Sequence, residues 1–311
     1  MNYFDCHADT LTEIPPSENL MHNTCCLDLA RARNFTDHYT QIFAVWIDQE
    51  KILSSDASTE DAFQEAYQRS MRLMLEQSAY LKWCQNAADM QEAHEQGKAA
   101  VFLAVEDVSV MGRLVEQIRG LGFRFAMLTW NYENAYGCGA VTDQSKGLTK
   151  EGRELAGQLL DQQIILDISH LSDQGVEDIF QLTDRPVIAS HSNVREVCNH
   201  PRNLKKEHIR ELIRRNGLCG INFYQEFVAR RPKLTDLLRH MDTVLKMGGE
   251  DILALGGDLD GCKNQLVPGI AGVQSIPDLK ALMEREGFGR SVIEKIFWKN
   301  AERFLMLNAG E

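Results

Sequence analysis

The stretch that decides the fold is "TKEGRELAGQLLDQQIILDISH", residues 149–170. Its first part, 149–163, places apolar side chains at helical spacing behind a threonine that can cap a helix. Its second part, 164–170, is a short apolar run with two adjacent isoleucines, which is typical of a buried strand. The stretch therefore predicts a helix that leads into a strand, and this strand ends at a histidine.

The same alternation of helix and strand extends over most of the chain. Eight short apolar or β-branched runs, each bounded by turn or helix signals, are predicted strands: 2–9, 41–48, 99–106, 123–130, 164–170, 186–192, 217–224 and 252–261. Polar stretches with helical spacing lie between most of them: 57–85, 149–163, 172–182, 205–215 and 232–247. Several helices are expected to begin at the cap-like residues Thr149, Ser172 and Ser275. Strands that alternate with helices pair in parallel through right-handed crossovers, and eight such units close into a (β/α)₈ barrel of the TIM type.

Residues 1–311 are predicted to form one barrel domain, because no low-complexity tract, charge block or flexible linker divides them. An open doubly wound sheet is the alternative, but no G-x-G-x-x-G follows the first strand. The apolar residues of 276–308 have helical spacing, which favours closing helices packed on the barrel. Part of the surface of these helices could also serve a homodimer interface.

Composition limits the function classes. The formal net charge of −12 argues against nucleic acid or an anionic membrane as the main partner. No apolar run approaches the ~20 residues of a membrane span, and no signal-peptide pattern is visible, so a cytoplasmic location is expected. The eight cysteines include no C-x-x-C pair and are predicted to be reduced, with Cys6 and Cys219 in the core and the pair Cys25–Cys26 in a loop.

The first predicted strand carries unusual polar residues in "NYFDCHADT" (2–10). Asp5, His7 and Asp9 occupy alternate positions, which predicts that they share one face of the strand. Charged groups on a buried face need a partner, and a metal ion is one such partner. An exposed edge strand with a polar face is the simpler alternative for this motif taken alone.

Other strands also end in polar groups, and the carboxyl ends of barrel strands are where chemistry takes place. Six such groups fall at this end of five strands: His7, Asp9, Glu106, His170, His191 and Asp258. This nitrogen and oxygen set suits Zn²⁺, with Mn²⁺, Co²⁺ or Fe²⁺ as alternatives. Glu106 is well suited to bridge two cations about 3.5–4 Å apart, which would activate a water and polarise a carbonyl. The pattern therefore predicts metal-assisted hydrolysis.

The sequence resembles the membrane (renal) dipeptidase family, peptidase M19, among the amidohydrolase-like metal-dependent hydrolases. Six segments match in the family's order: "DCHADT", "AVED", "GLTKEGRELAGQLLDQQIILDISHLS", "PVIASHSNVREVCNHPRNL", "GINFY" and "GGDLDG". The resemblance implies a zinc-dependent dipeptidase with two zinc ions per chain and a metal-bridging hydroxide. His7 and Asp9 would hold one zinc, His170 and His191 the other, and Glu106 would bridge them.

The resemblance also implies roles around the metals. Asp258 would act as the acid/base group that carries a proton to the leaving amine, whereas its neighbour Asp260 would fix the loop. Arg202 would pair with the C-terminal carboxylate of a dipeptide, a task suited to a planar bidentate donor. Tyr224 would assist at the same end. Without the resemblance, Arg202 would be read as a surface arginine beside Pro201.

One position departs from the family pattern. The animal enzymes carry a histidine in an "LTH" setting after the fourth strand, whereas this chain reads "MLTWNYENAYG" and has Trp130 there. Contact with the scissile carbonyl would then depend on the metal, on Asn131 or on Trp130 itself. Alternatively, Trp130 is a packing residue, and Asn131 and Asn134 hold the loop.

The predicted function is hydrolysis of dipeptides, including L-Xaa-D-Xaa, because the resembled family tolerates a D-residue at the C-terminal position. The nearest alternative is hydrolysis of a lactone, an N-acyl amino acid or a β-lactam at the same site. A non-catalytic barrel that binds a metal or a peptide is the alternative from another class. Asp258 argues against that alternative, because a binding module does not need a group that transfers protons.

Overall fold

The computed structural model describes residues 1–49, 52, 58–262 and 265–310, and its parallel strands form a closed barrel. Pairing of β2 (Tyr39–Val45) with both β1 (Tyr3–Ala8) and β4 (Ala99–Val105), and of β9 (Leu253–Leu255) with β1, closes a ring of eight strands that follow one another in chain order. Each of the eight predicted strands overlaps one strand of this ring, which confirms the (β/α)₈ barrel. The barrel strands are β1 Tyr3–Ala8, β2 Tyr39–Val45, β4 Ala99–Val105, β5 Phe123–Met127, β6 Ile165–Asp167, β7 Ile188–Ala189, β8 Leu218–Ile221 and β9 Leu253–Leu255.

A ninth strand, β3 (Leu81–Trp83), lies outside the ring. It pairs in parallel with the first residues of β4, 99–101, whereas β5 pairs with residues 103–105 of the same strand. The predicted helical stretch 57–85 is therefore wrong at its C-terminal end. The helix there is Thr59–Glu76, and residue 57 lies outside the described residues.

The helices follow the predicted stretches closely where a side chain caps them. Thr149 Oγ1 accepts a hydrogen bond from the backbone N–H of Gly152 at 2.9 Å, and Ser172 Oγ accepts from Gly175 at 3.1 Å. Ser275 precedes a helix as predicted, but its hydroxyl accepts from the backbone of Ala271 instead and caps nothing. The helices are Thr10–Glu13, Leu29–Arg33, Thr59–Glu76, Ala87–Glu95, Lys150–Asp161, Asp173–Leu182, Lys206–Arg214, Gln225–Val228, Leu234–Lys246, Ile276–Arg285, Arg290–Glu294 and Asn300–Asn308, with 3₁₀ segments at Val108–Gln117 and Val273–Ser275 and a π-helical turn at Lys295–Lys299.

The barrel interior is apolar below its carboxyl end. One buried cluster takes a residue from each ring strand, and a cluster shared by all strands of a closed barrel lies inside it: Phe4, Ile42, Phe102, Phe125, Ile165, Ile188, Leu218 and Ala254. The larger cluster lies between the barrel and its helices and contains the alternate strand residues, such as Phe43 and Leu103. This two-sided burial explains why the strands read as continuous apolar runs.

An irregularity in β1 decides which of its polar residues reach the interior. Asp5 of β1 pairs with Gln41 of β2, and Ala8 pairs with Phe43. Between these two pairs β1 advances by three residues, whereas β2 advances by two. An extra residue of this kind reverses the side on which the following side chains lie. The prediction that Asp5, His7 and Asp9 share one face is therefore wrong for Asp5.

Asp5 has a structural part instead. Its carboxylate accepts hydrogen bonds from the hydroxyl of Tyr3 and from the backbone N–H groups of His7 and Gly257. A buried carboxylate that is satisfied in this way stabilises the junction of β1 and β9.

Among the described residues, no helix is long and apolar enough to cross a membrane.

Candidate metal centre

Six polar side chains converge at the carboxyl end of the barrel, and all are nearly or fully buried. His7 lies in β1, Asp9 and Glu106 directly follow their strands, and the remaining three lie two or three residues beyond theirs. The parallel strands bring them together because their carboxyl ends meet at one face. The six are the predicted residues His7, Asp9, Glu106, His170, His191 and Asp258.

Glu106 lies between two histidines. Its Oε1 is 2.7 Å from Nε2 of His170, and its Oε2 is 3.2 Å from Nε2 of His7. Each carboxylate oxygen thus faces a different imidazole, which is the arrangement that a carboxylate bridging two cations requires. Burial would raise the pKa of Glu106, but His170 and His7 outweigh it and hold the pKa below its ordinary value.

His170 and His191 turn their Nε2 atoms toward each other at a distance of 2.8 Å. The other ring nitrogen of each is engaged: Nδ1 of His170 with Oδ1 of Asn131 at 2.9 Å, and Nδ1 of His191 with the hydroxyl of Ser190 at 2.8 Å. An Nδ1–H that donates to Asn131 leaves Nε2 of His170 unprotonated, and its lone pair points toward the carboxylate of Glu106.

The protonation of these histidines agrees with that geometry. Burial and the nearby guanidinium of Arg202 together lower the pKa of His170 to about 4, although Glu106 acts in the opposite direction. Burial, together with the charge of His7, also brings the pKa of His191 well below its ordinary value. A neutral imidazole whose Nε2 lone pair points into the cluster is in the state that binds a metal ion.

The pair His7 and Asp9 supplies the best evidence that the site fits a cation. Both ring nitrogens of His7 and Oδ1 of Asp9 are buried without a hydrogen-bond partner, although Nε2 of His7 lies 3.3 Å from Oδ2 of Asp9. Burial alone would lower the pKa of His7, but Asp9 and Glu106 outweigh it and raise the pKa well above its ordinary value. The carboxylates thus create a strong demand for positive charge at this point, which a metal ion would meet.

Among the residues that the structure describes, two sets of three side chains have possible ligand atoms within 4.8 Å of one another. One set is His7, Glu106 and His191, and the other is His7, Asp9 and Asp258. The sets share His7 and so join five of the six side chains; His170 belongs to neither set but lies 2.7 Å from Glu106. The structure also brings Asp258 as close to His7 and Asp9 as a ligand would be.

Asp258 is held in a strained loop after β9. Its φ is 55°, in the left-handed region that side chains other than glycine seldom adopt, and its backbone N–H donates to the carbonyl of His7 at 3.1 Å. Asn222 donates to Oδ2 at 3.0 Å. Gly261 closes the loop, because a Cβ there would collide with both Oδ1 of Asp258 and Oδ2 of Asp9.

Asp260 differs from Asp258 although it is also buried with φ in the left-handed region. Its Oδ2 accepts from the hydroxyl of Thr10 at 2.6 Å, and its Oδ1 accepts from the backbone N–H of Cys26 at 2.5 Å. Asp260 thus ties the loop after β9 to the segments after β1, as the resemblance suggested. The two carboxylates therefore have distinct surroundings.

Arg202 is buried rather than exposed on the surface, and its charge has few partners. Its Nη2 lies 3.1 Å from Nε2 of His170, while Nε and Nη1 make no hydrogen bond. The guanidinium also packs over the ring of Phe227, 5.4 Å from its centroid. Burial lowers its pKa to about 10, so it is charged at neutral pH. A buried cation with two unused donors is suited to an anionic group.

Tyr224 follows β8 and is only partly buried. Its ring packs edge-on against Phe227 at 4.7 Å, next to the ring that Arg202 covers. Its backbone N–H donates to Oδ1 of Asn222, the residue that holds Asp258. The structure thus places Tyr224 near both Arg202 and Asp258.

Both interpretations of Trp130, as a residue of the site and as a packing residue in a loop held by asparagine, find support in the loop after β5. The ring of Trp130 lies 6.1 Å from that of His170 in a stacked arrangement, and Asn134 holds the loop through hydrogen bonds to Asp107 and to the carbonyl of Leu128. Asn131 contacts His170 and does not fix the loop by its side chain.

Asn222 and Asp107 are among the residues that position the site and were missed from the sequence. Asn222 reaches Asp258, and Asp107 accepts from the backbone N–H of Trp130 at 3.2 Å. Both stand inside the quoted motifs "GINFY" and "AVED", next to residues that were singled out. Their position in those motifs was the one indication that the sequence offered. A polar residue that acts by hydrogen bonding to another site residue produces no periodicity or spacing in the sequence.

Comparisons with known proteins identify the family and the fold. The family model described as membrane dipeptidase, peptidase family M19, matches residues 1–307. The solved structure of dipeptidase AC, a metallopeptidase of family M19, is 24% identical with a TM-score of 0.86, covering 100% of this chain and 99% of that chain. A metallopeptidase from Rhodobacter sphaeroides, solved with a phosphinate mimic of L-Ala-D-Ala, is 24% identical with a TM-score of 0.84, covering 99% of each chain.

A curated relative is similar in sequence. It is an uncharacterized protein in the pqqA 5' region of Klebsiella pneumoniae, 29% identical over 249 residues, which cover 75% of this chain and 91% of that protein. The two solved structures show that the fold is shared, and the family model spans nearly all of the chain. The chain therefore belongs to the membrane dipeptidase family, peptidase family M19, and is a metallo-dipeptidase.

Proposed function

We propose that this metallo-dipeptidase uses zinc and hydrolyses dipeptides whose C-terminal residue has either the L or the D configuration. The observation that carries the proposal is the guanidinium of Arg202, which is buried with two unused donors beside His170. A dipeptide would bring the carboxylate that this cation lacks. The same bond would place the scissile carbonyl over the cluster of His170 and Glu106.

The donor set supports zinc. Three imidazoles and a bridging carboxylate, with Asp9 as a further oxygen ligand, are typical of zinc and would hold two ions. Zinc bound there would polarise the scissile carbonyl and lower the pKa of a water molecule. The neutral imidazoles of His170 and His191 need no deprotonation before they bind a metal.

Asp258 would hold and transfer the proton. Burial raises the pKa of its carboxyl to about 6, with Glu106 acting in the same direction, while His7 and Asn222 act against them. A carboxylate held this close to the cluster can take a proton from a water molecule there and release it to the leaving amine. Asn222 fixes Oδ2, so Oδ1, which faces Asp9 and Gly261, is the oxygen available for the transfer.

A D-residue at the C-terminal position is part of the proposal. The Rhodobacter sphaeroides metallopeptidase was solved with a mimic of L-Ala-D-Ala, and it shares the fold along 99% of this chain. Arg202 binds a carboxylate, which both configurations carry, and the partly exposed Tyr224 leaves the same side of the site open. Hydrolysis of L-Ala-D-Ala and L-Ala-L-Ala by the purified protein tests this point directly.

Replacing Arg202 by alanine is expected to raise the KM for dipeptides about 100-fold, with a smaller change in kcat. Loss of two hydrogen bonds to a charged group costs about 3 kcal/mol, and the carboxylate is bound equally in the ground and transition states. Steady-state kinetics on L-Ala-L-Ala measures the effect. Arg202→Lys should recover only part of the loss, because an ammonium lacks the planar fork.

A dipeptide amide is the matched control substrate, because it lacks only the carboxylate. The wild-type enzyme should discriminate against the amide, and Arg202→Ala should remove most of that discrimination. Because Arg202 touches His170, the metal content of each variant has to be measured alongside. Equal turnover of dipeptide and amide by the wild type would instead favour hydrolysis of lactones or other substrates that carry no carboxylate.

A further inference from the structure

A cavity of about 170 Å³ opens beside the candidate metal centre, and the proposed reaction does not yet use it. A cavity of about 150 Å³ is large enough for benzene, so this one can take a single aromatic ring. Its lining combines the aromatic residues Trp46, Trp130 and Tyr132 with polar residues that include the carboxylates Asp48, Asp107 and Glu133.

The three aromatic rings of this aromatic cavity, Trp46, Trp130 and Tyr132, pack against one another. The centroids of Trp46 and Trp130 lie 5.3 Å apart with the planes tilted by 51°, and Trp130 and Tyr132 lie 5.4 Å apart at 68°. Aromatic pairs favour tilted and edge-to-face contacts at these distances. Tyr132 is 46% exposed, so a ring that entered would cover apolar surface that now faces solvent.

One carboxylate fixes both sides of the cavity. Asp107 accepts from the backbone N–H of Trp130 and, at 2.9 Å, from the side-chain amide of Gln49, three residues after Trp46. It also accepts from the side-chain amide of Asn134 at 2.8 Å. The cavity is therefore preformed, and it is anchored to the residue that directly follows the candidate ligand Glu106.

The cavity lies across the barrel from the carboxylate site. In the ring of eight strands, β2 stands opposite β7, and β5 stands opposite β9. Trp46 follows β2, whereas Arg202 belongs to the loop after β7. Trp130 follows β5 and stacks near His170, whose Nε2 Arg202 approaches. A dipeptide with its carboxylate on Arg202 and its scissile bond at the metal centre would extend its N-terminal residue toward this cavity.

We propose that the aromatic cavity binds the side chain of the N-terminal residue of the substrate and selects a large aromatic side chain there. This inference rests on the proposed dipeptidase function and names its substrate class. Trp46 and Tyr132 would be residues that determine specificity, and Asp107 would be a positioning residue that acts through Trp130.

The test compares kcat/KM for L-Phe-L-Ala and L-Ala-L-Ala in the metal-loaded wild type, in Trp46→Ala and in Tyr132→Ala. The wild type should prefer the phenylalanyl dipeptide about tenfold or more. Each variant should lower this ratio about tenfold, mainly through a higher KM for L-Phe-L-Ala. The product L-Phe should bind more weakly to each variant than to the wild type, and this binding can be measured directly by tryptophan fluorescence.

Two other aromatic residues serve as matched controls. Tyr80 is 45% exposed, close to the value of Tyr132, and Trp298 is partly buried like Trp46, but neither borders the cavity. Tyr80→Ala and Trp298→Ala should leave the ratio unchanged. A ratio that is the same in all five proteins overturns the inference and leaves the dipeptidase function standing. Hydrolysis of neither dipeptide by the wild type overturns the proposed function, and the inference with it.

Discussion

Replacing Glu106 by glutamine is expected to lower kcat/KM for dipeptides by at least about 10³-fold, which corresponds to about 4 kcal/mol. The side chain keeps its size but loses the charge with which its two oxygens face His7 and His170. An amide offers one oxygen and one N–H donor, so it cannot bridge two cations. The metal content should fall together with the activity, and elemental analysis of the purified variant measures it.

The exposed Glu116 provides the control for this change. Glu116→Gln removes the same charge from the same chain and should leave both metal content and kcat/KM as in the wild type. Circular dichroism of each protein separates loss of the metal from loss of the fold. A Glu106→Gln protein with two metal equivalents and wild-type kinetics would show that Glu106 is not a bridging ligand.

Asp258→Asn should lower kcat about 10²- to 10⁴-fold, the usual contribution of a general acid/base, while KM changes little. Asparagine has nearly the same shape and can still accept the hydrogen bond that Asn222 donates. It cannot take a proton from water or give one to the leaving amine. An Asp258→Asn protein that has lost its activity but binds the normal amount of metal would therefore show that Asp258 acts in proton transfer rather than in metal binding.

Asp260→Asn is the matched comparison, because Asp260 is also buried and has its φ in the left-handed region. Its carboxylate binds Thr10 and the backbone of Cys26, so its loss should lower the melting temperature and reduce kcat less than tenfold. If both variants lost kcat equally at equal metal content, the distinct role given to Asp258 would be wrong.

The barrel and the convergence of its polar residues could be predicted from the sequence. Strands buried on both faces are visible as apolar runs, and a residue such as Glu106 directly after a run has to lie at the carboxyl end of the barrel. This argument needs no contact information, because parallel strands share one direction. It holds equally for His191 and Asp258, which lie beyond short strands.

The errors of prediction arise from features without a sequence period. Strict alternation along β1 would place Asp5, His7 and Asp9 on one face. The extra residue in β1 instead turns His7 toward the interior and leaves Asp5 outside it, where its carboxylate accepts a hydrogen bond from the hydroxyl of Tyr3. The short strand Leu81–Trp83 has only three residues, too few to show alternation against the preceding helix. In both cases tertiary pairing decides the local structure.

Side chains that support the site were the hardest to predict. Asn131 was predicted as one of several possible contacts to the substrate carbonyl, and the structure adds that its amide oxygen lies 2.9 Å from Nδ1 of His170. Ser190 and Asn222 similarly hold His191 and Asp258. These partners come from neighbouring strand ends, so only the closed barrel defines the pairs. Metal affinity and activity depend on such residues because they orient the ligands.

The central claim is that the six converging side chains form a two-metal site for dipeptide hydrolysis. Elemental analysis of the purified protein, with hydrolysis of L-Ala-L-Ala and L-Ala-D-Ala before and after a chelator, tests it most directly. About two zinc ions per chain, with activity that the chelator abolishes and added zinc restores, is the expected result. A protein that binds no transition metal, and gains no activity from Zn²⁺, Mn²⁺, Co²⁺ or Fe²⁺, would contradict the account.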